Sequence, residues 1–158
     1  MTFSIQQDNL DSEQTTALLA LHLTAMHENS PPEAVFALDL SGLKQPGITV
    51  WSAWQDGRIA GIGALKTLSQ TTAEVKSMRT HPNFLRQGVA RLILQHLIKA
   101  AREQNITRIS LETGRGDAFE PALALYRAHG FINGHAFADY KPSAFSQFLH
   151  LDLNRAII

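Results

Sequence analysis

The segment TAEVKSMRTHPNFLRQGVARLILQHLIKAAREQNITRISLET, residues 72–113, changes its hydrophobic period twice. Residues 72–80 read as a strand that stops at His81-Pro82. Over 88–104 the pattern is helical: Val89, Ala90, Ile93, Leu94, Leu97 and Ala101 fall on one face, and Arg91, Gln95, Lys99, Arg102 and Glu103 on the other. Arg108 to Thr113 returns to strand. A strand–helix–strand unit of this kind predicts a parallel pair joined by a crossover helix.

Working outward, the flanking elements predict antiparallel pairing. Ile48, Val50, Ser52 and Trp54 alternate along a strand, Asp56-Gly57 is a strong hairpin signal, and Arg58 to Lys66 forms the partner strand. Gly61 and Gly63 within it imply a bulge or a close neighbour. Upstream, residues 2–7 form a short strand. Asp11 with Gln14 resembles a capping box before a helix that Pro31-Pro32 must end. A second short helix is expected over 33–40, and SGLKQPG (41–47) reads as a loop. Downstream, Pro121 opens a helix that Gly130 closes, and two strands over about 131–139 and 146–153 flank a turn at Lys141-Pro142-Ser143. The expectation is one α+β domain spanning 1–158, with a mixed, mostly antiparallel sheet and flanking helices.

Composition narrows the function classes. The chain has 158 residues, with hydrophobic residues at 44% and charged residues at 18%, an ordinary globular balance. Fourteen basic and fourteen acidic residues cancel, and a protein working on phosphate backbones normally carries a basic excess, so nucleic acid is not the expected partner. The absence of cysteine removes thiolate metal sites and cysteine nucleophiles and suits a reducing compartment. No signal peptide or membrane-length apolar run is present, so a cytoplasmic protein without a membrane partner is expected. The seven histidines show no H-x-x-x-H or H-E-x-x-H spacing, and no metal is expected. His96 and His129 are expected on solvated helix surface.

Gly88 joins the loop after the first strand of the 72–113 unit to its helix. The first amides of a helix lack internal partners, and the macrodipole adds positive potential there. A glycine lets an anion approach them, and Arg86 and Arg91 add charge, so this turn suits a pyrophosphate. No G-x-x-x-x-G-K-[ST] and no G-x-G-x-x-G occurs around it.

RQGVAR after SMRTHPNFL, followed by ALALYRAHGF, resembles the GNAT superfamily of acyl-CoA-dependent N-acyltransferases. Of the family's [RQ]-x-x-G-x-[GA] loop, Gly88 and Ala90 match and Leu85 does not, with Arg86 one step later. The second signature is met by Ala122, Leu125, Tyr126, Gly130 and Phe131, while Phe119 stands where an Asn is common. The resemblance implies acetyl-CoA as co-substrate, bound in a wedge where two parallel strands splay apart. It assigns the backbone of Met78, Arg79 and Thr80 to the pantetheine arm, and Arg86, Gln87, Gly88, Val89, Ala90 and Arg91 to the pyrophosphate. Tyr126 would direct its hydroxyl to the CoA sulfur as general acid. Glu112, near the end of the strand after the helix, would act as base.

A second base candidate, Glu74, alternates onto the strand face of Lys76 and Met78, and a solvated Glu74 paired with Lys76 or Lys66 is the alternative. With neither cysteine nor a G-x-S-x-G serine, direct attack by an amine in a ternary complex is expected. The near-neutral charge favours a small-molecule amine. The acceptor regions are 22–47 and 133–146, including HENSPPEAVFALD and FADYKPSAF. A non-catalytic acyl-CoA sensor is the alternative function, and a homodimer is left open.

Overall fold

The computed structural model describes residues 2–153, so the expected domain's first residue and residues 154–158 lie outside the described part. Its strands are β1 (Ser4–Gln7), β2 (Ile48–Gln55), β3 (Arg58–Thr67), β4 (Thr72–Thr80), β5 (Arg108–Thr113), β6 (Ile132–Asn133) and β7 (Gln147–Asp152). The α-helices are α1 (Glu13–Asn29), α2 (Leu40–Leu43), α3 (Val89–Glu103) and α4 (Glu120–Ala128). One sheet runs in the order β1-β2-β3-β4-β5-β7-β6. Only β4 and β5 pair in parallel, with α3 as their crossover. Among the described residues no helix is long and apolar enough to cross a membrane.

Local chemistry explains most boundaries. Asp56 and Gly57 both take positive φ, 50° and 75°, which matches the right-handed twist of the hairpin strands. The helix α1 begins one residue later than the capping-box reading has it: Ser12 is the cap, accepting from the Thr15 amide at 3.1 Å. Gln14 is instead committed to the hairpin, where Oε1 accepts from Ile59 N at 2.9 Å and Nε2 donates to the Gly57 carbonyl at 2.8 Å. That long-range use of Gln14 has no local signature.

Two other expectations need correction. The short helix placed at 33–40 is a 3₁₀ turn at Pro32–Ala34, and the α-turn comes later, at Leu40–Leu43 inside the expected loop. Asp39 causes the shift by accepting from Gly42 N at 2.8 Å, an N-cap that starts the helix where it stands. The strand expected over 131–139 survives only as Ile132–Asn133. At Gly134 the chain crosses the His150 ring so closely that a Cβ would lie 2.6 Å from Cδ2, and Ala138 takes φ of 50°, off the strand path.

The core forms where α3 lies on the sheet. Val89, Ile93, Leu94, Leu97 and Ala101 are buried there as their spacing predicts, though Ala90 is only half-buried. His96 is also half-buried, edge-on to Trp51 at 5.5 Å, rather than solvated. The helix can approach because β3 carries glycine beneath it. A Cβ on Gly63 would lie 2.6 Å from Ile93 Cγ2 and 2.7 Å from Met78 Sδ. Gly63→Ala is therefore expected to cost about 1–3 kcal/mol by overpacking, lowering Tm by roughly 2–10 °C. An unchanged melting temperature by circular dichroism would mean that the helix is free to move away.

Candidate active site

The parallel pair holds together for only three rungs, Thr72 with Arg108, Ala73 with Ile109 and Glu74 with Ser110. Beyond Glu74 the two strands part, and the edge of residues 75–80 that faces β5 has no strand partner. On its other edge β4 carries a bulge. Ile62 to Ala64 of β3 spans two steps while Arg79 to Lys76 of β4 spans three, and Ser77 absorbs the extra residue at φ of 57°. Side chains alternate along a strand, so one inserted residue reverses which face each later side chain takes. Glu74 and Lys76 stay together, but Met78 turns to the α3 face beside Gly63, and Arg79 turns to α1. The expectation that Met78 shares the Glu74 face is thus overturned by the bulge.

A cavity of about 200 Å³ opens between the parted strands. Met78, Arg79, Glu112 and Tyr126 all reach it, from three different elements, and Glu74 lines it too. Burial pushes the Glu112 carboxyl up to about 7, with Glu74 adding to the rise and the Ser146 side chain and Lys76 opposing it. Glu74 is not solvated. It is 2% exposed, accepts from the Tyr140 hydroxyl at 2.5 Å and from Lys76 Nζ at 3.2 Å, and Lys76 also donates to Tyr140 at 2.9 Å. Glu74 is therefore engaged by Lys76 and Tyr140, whereas burial brings the Glu112 carboxyl near neutrality. Tyr126 is buried against Phe131, and burial, opposed by Arg79, lifts its hydroxyl to about 12.

Arg79 and His22 form a second polar unit. Arg79 Nε donates to His22 Nδ1 at 2.9 Å. Burial first, and the Arg79 charge second, hold the His22 imidazole down to about 3, so it is a neutral acceptor at any ordinary pH. His22 comes from α1, and Phe36 and Tyr140 meet edge-on at 5.0 Å over the same region.

The turn before α3 lies outside this cavity. Arg86 and Gly88 take left-handed φ of 63° and 83°, and a Cβ on Gly88 would meet nothing within 4 Å. The first intrahelical bond runs from Leu92 N to Gly88 O, so the amides of 89–91 have no helical partner. Arg86, Gln87, Gly88 and Arg91 are exposed, Ala90 is half-buried, and the Val89 side chain is core. Thr80 closes β4 between the two regions, paired with Gly61. Phe119, which stands where the family commonly has an Asn, packs edge-on against Phe145 at 5.5 Å and contributes an apolar wall.

The model of the Acetyltransferase (GNAT) family matches residues 15–131. The chain belongs to this family. It is 46% identical over 151 residues to the Escherichia coli (strain K12) protein named uncharacterized N-acetyltransferase YedL, covering 96% of this chain and 95% of that one. It is 46% identical over 145 residues to uncharacterized N-acetyltransferase YsnE of Bacillus subtilis (strain 168), covering 92% and 96%. A solved Klebsiella pneumoniae structure described as an acyl-CoA N-acyltransferase superposes with a TM-score of 0.81 at 27% identity, covering 96% and 98%. The protein is accordingly an acyl-CoA-dependent N-acyltransferase enzyme of a family that uses acetyl-CoA as co-substrate.

Sequence reading named Lys76 as a partner for Glu74 but did not single out His22, Phe36 or Tyr140. HENSPPEAVFALD holds Phe36 and FADYKPSAF holds Tyr140, yet their meeting depends on two loops far apart in the chain. Glu112 offers a direct check of the site's electrostatics. Its pKa in the folded chain lies above the usual carboxylate value, so the fold binds its proton more tightly than the unfolded chain does. Its contribution is thus unfavourable above the folded pKa and vanishes below the unfolded one. Glu112→Gln should raise stability at pH 8.5 by up to about 3 kcal/mol, and the gain should disappear near pH 4.5. Thermal melts across that range measure it, and a pH-independent difference would remove the buried acid.

Proposed function

We propose that the enzyme transfers an acetyl group from acetyl-CoA to a small-molecule primary amine by direct attack in a ternary complex. What carries the reading is the convergence of a near-neutral carboxyl, Glu112, and a protonated phenol, Tyr126, on one small cavity beside unpaired β4 backbone. The cavity volume lies below the roughly 300–1,000 Å³ of drug-sized sites, which supports a small acceptor.

In this reading the pantetheine arm pairs with the open edge of Met78, Arg79 and Thr80, and the pyrophosphate lies on the amides after Gly88 with Arg86 and Arg91 beside it. Glu112 takes a proton from the incoming ammonium, directly or through water. A carboxylate of pKa about 7 accepts that proton far better than an ordinary one. The freed amine attacks the thioester carbonyl, and backbone N–H groups at the Ser77 bulge can donate to the oxyanion. The C–S bond then breaks, and the nitrogen's second proton leaves to solvent, from which the Tyr126 hydroxyl is restored after it has protonated the sulfur. Tyr126 donates to the departing sulfur. Its raised pKa keeps the proton in place at every working pH, and the same burial raises the pKa of a thiol next to it, which keeps the transfer feasible. Glu74, held by Lys76 and Tyr140, keeps the acceptor side of the cavity charged and ordered.

Release of free thiol from acetyl-CoA across a panel of amines tests the reading. Acetyl-CoA binding without thiol release on any amine would leave an acyl-CoA-binding module. Tyr126→Phe keeps the packing and removes the oxygen, so turnover should fall by about 10²–10⁴-fold with Tm little changed. The kcat/KM profile should rise through pH 7 in the parent and lose that inflection in Glu112→Gln.

The cofactor half is tested by charge at position 88. Asparagine and aspartate both tolerate a left-handed backbone, and the space beyond Gly88 is open. Gly88→Asp should weaken acetyl-CoA binding at least about tenfold relative to Gly88→Asn. Equal calorimetric affinities would place the pyrophosphate elsewhere.

A further inference from the structure

Arg79 is a cation in an active-site cavity with no anion assigned to it. Its Nε is spent on a neutral imidazole, and no other hydrogen bond of its guanidinium is found among the described residues. No carboxylate among them lies within ion-pair distance of it, since Glu74 is taken by Lys76 and Tyr140. Arg79 is half-buried, and a charge drawn partly out of water is normally paired, because its desolvation is costly. His22 cannot supply the counter-charge. It fixes the guanidinium by one edge and leaves the terminal nitrogens available.

We infer that Arg79 binds a carboxylate on the acceptor, so that the substrate is a small molecule carrying both an amine and a carboxylate. The proposal rests on the acetyl-transfer reading above for the amine, and on Arg79 alone for the carboxylate. A guanidinium presents two parallel N–H donors that match the two oxygens of a carboxylate, which an ammonium such as Lys76 does not. The bulge at Ser77 turns Arg79 toward α1, the side on which Phe36 lines the cavity with Tyr140 packed edge-on behind it, whereas the exposed amides and arginines that suit phosphates lie at the α3 turn. An acceptor held through its carboxylate at Arg79 keeps its amine within the same cavity as Glu112. His22 serves here as a positioning residue, holding the guanidinium without neutralising it.

The test compares acids with their amides. The probes are the common L-amino acids, the ω-amino acids from glycine to 6-aminohexanoate, and the primary amide of each. Each is assayed with acetyl-CoA by thiol release and, separately, by calorimetry in the presence of CoA. The preferred acid should exceed its amide by about 30-fold or more in both kcat/KM and affinity, and Arg79→Gln should collapse that ratio toward one. Arg79→Lys, which keeps the charge, should retain part of it. If Arg79→Gln does not fold, the parent ratio and the lysine variant decide. Amides handled as well as acids, or no acid bound at all, overturn the inference. So does a loss of acetyl-CoA affinity in Arg79→Gln with the acid preference intact, which would give Arg79 to the cofactor. Acids that outbind amides without any thiol release would sink the acetyl-transfer reading and leave the carboxylate site standing.

Discussion

The parting of β4 from β5 after Glu74 and Ser110 is the constraint on which the rest of the molecule depends. A parallel pair that stayed zipped would satisfy its own backbone and leave no room between the strands. Here three rungs secure the pair, and the crossover helix α3 secures it again from one face. The remaining β4 edge is then free to bind something other than protein. The bulge at Ser77 acts on the same strand and decides what that edge presents. One extra residue sends Met78 into the packing under α3 and brings Arg79 round to α1.

Most groups in the cavity are taken out of water, and each is managed differently. Glu74 and Lys76 neutralise each other, with Tyr140 donating to the carboxylate and accepting from the ammonium. Glu112 lacks so close a partner, and burial leaves it poised near neutrality. His22 stays neutral because burial disfavours its charged form and the Arg79 cation beside it adds to that. Tyr126 stays protonated. Burial thus shifts Glu112, His22 and Tyr126 each in its own way around one cavity of about 200 Å³, modulated by the neighbour each group has. This is why the two glutamates, similar on paper, sit in different electrostatic surroundings.

The α3 turn works by other means. Its capacity for an anion comes from backbone amides, a left-handed Gly88 and surface arginines, none of which needs burial. On the proposed assignment, cofactor and acceptor meet different physics on one chain: the cofactor end is set by main-chain geometry at a helix start, and the acceptor end by side chains from α1, β4, β5 and the loop before β7.

Periodicity alone determined the elements that bury one regular face: β2 and β3 with their Asp56-Gly57 turn, β4, α3 and β5 all stand within a residue or so of their expected limits. Glycine chemistry in the sequence also placed the turn before α3 and the close contact over β3. Tertiary structure alone decided the rest. Gln14 left its expected cap for the hairpin, the strand after Phe131 broke off where Gly134 met His150, and Met78 and Arg79 exchanged faces because the extra residue of the bulge falls on β4, across from the Gly63 that hinted at it. The sequence left Glu74 open between a base and a solvated partner of a lysine, because Tyr140, which helps to bury it, lies 66 positions away. Local pattern records how a segment meets water and a single face of the core. It does not record which distant polar group will satisfy a buried one, and the acceptor side of this site is made of such pairings.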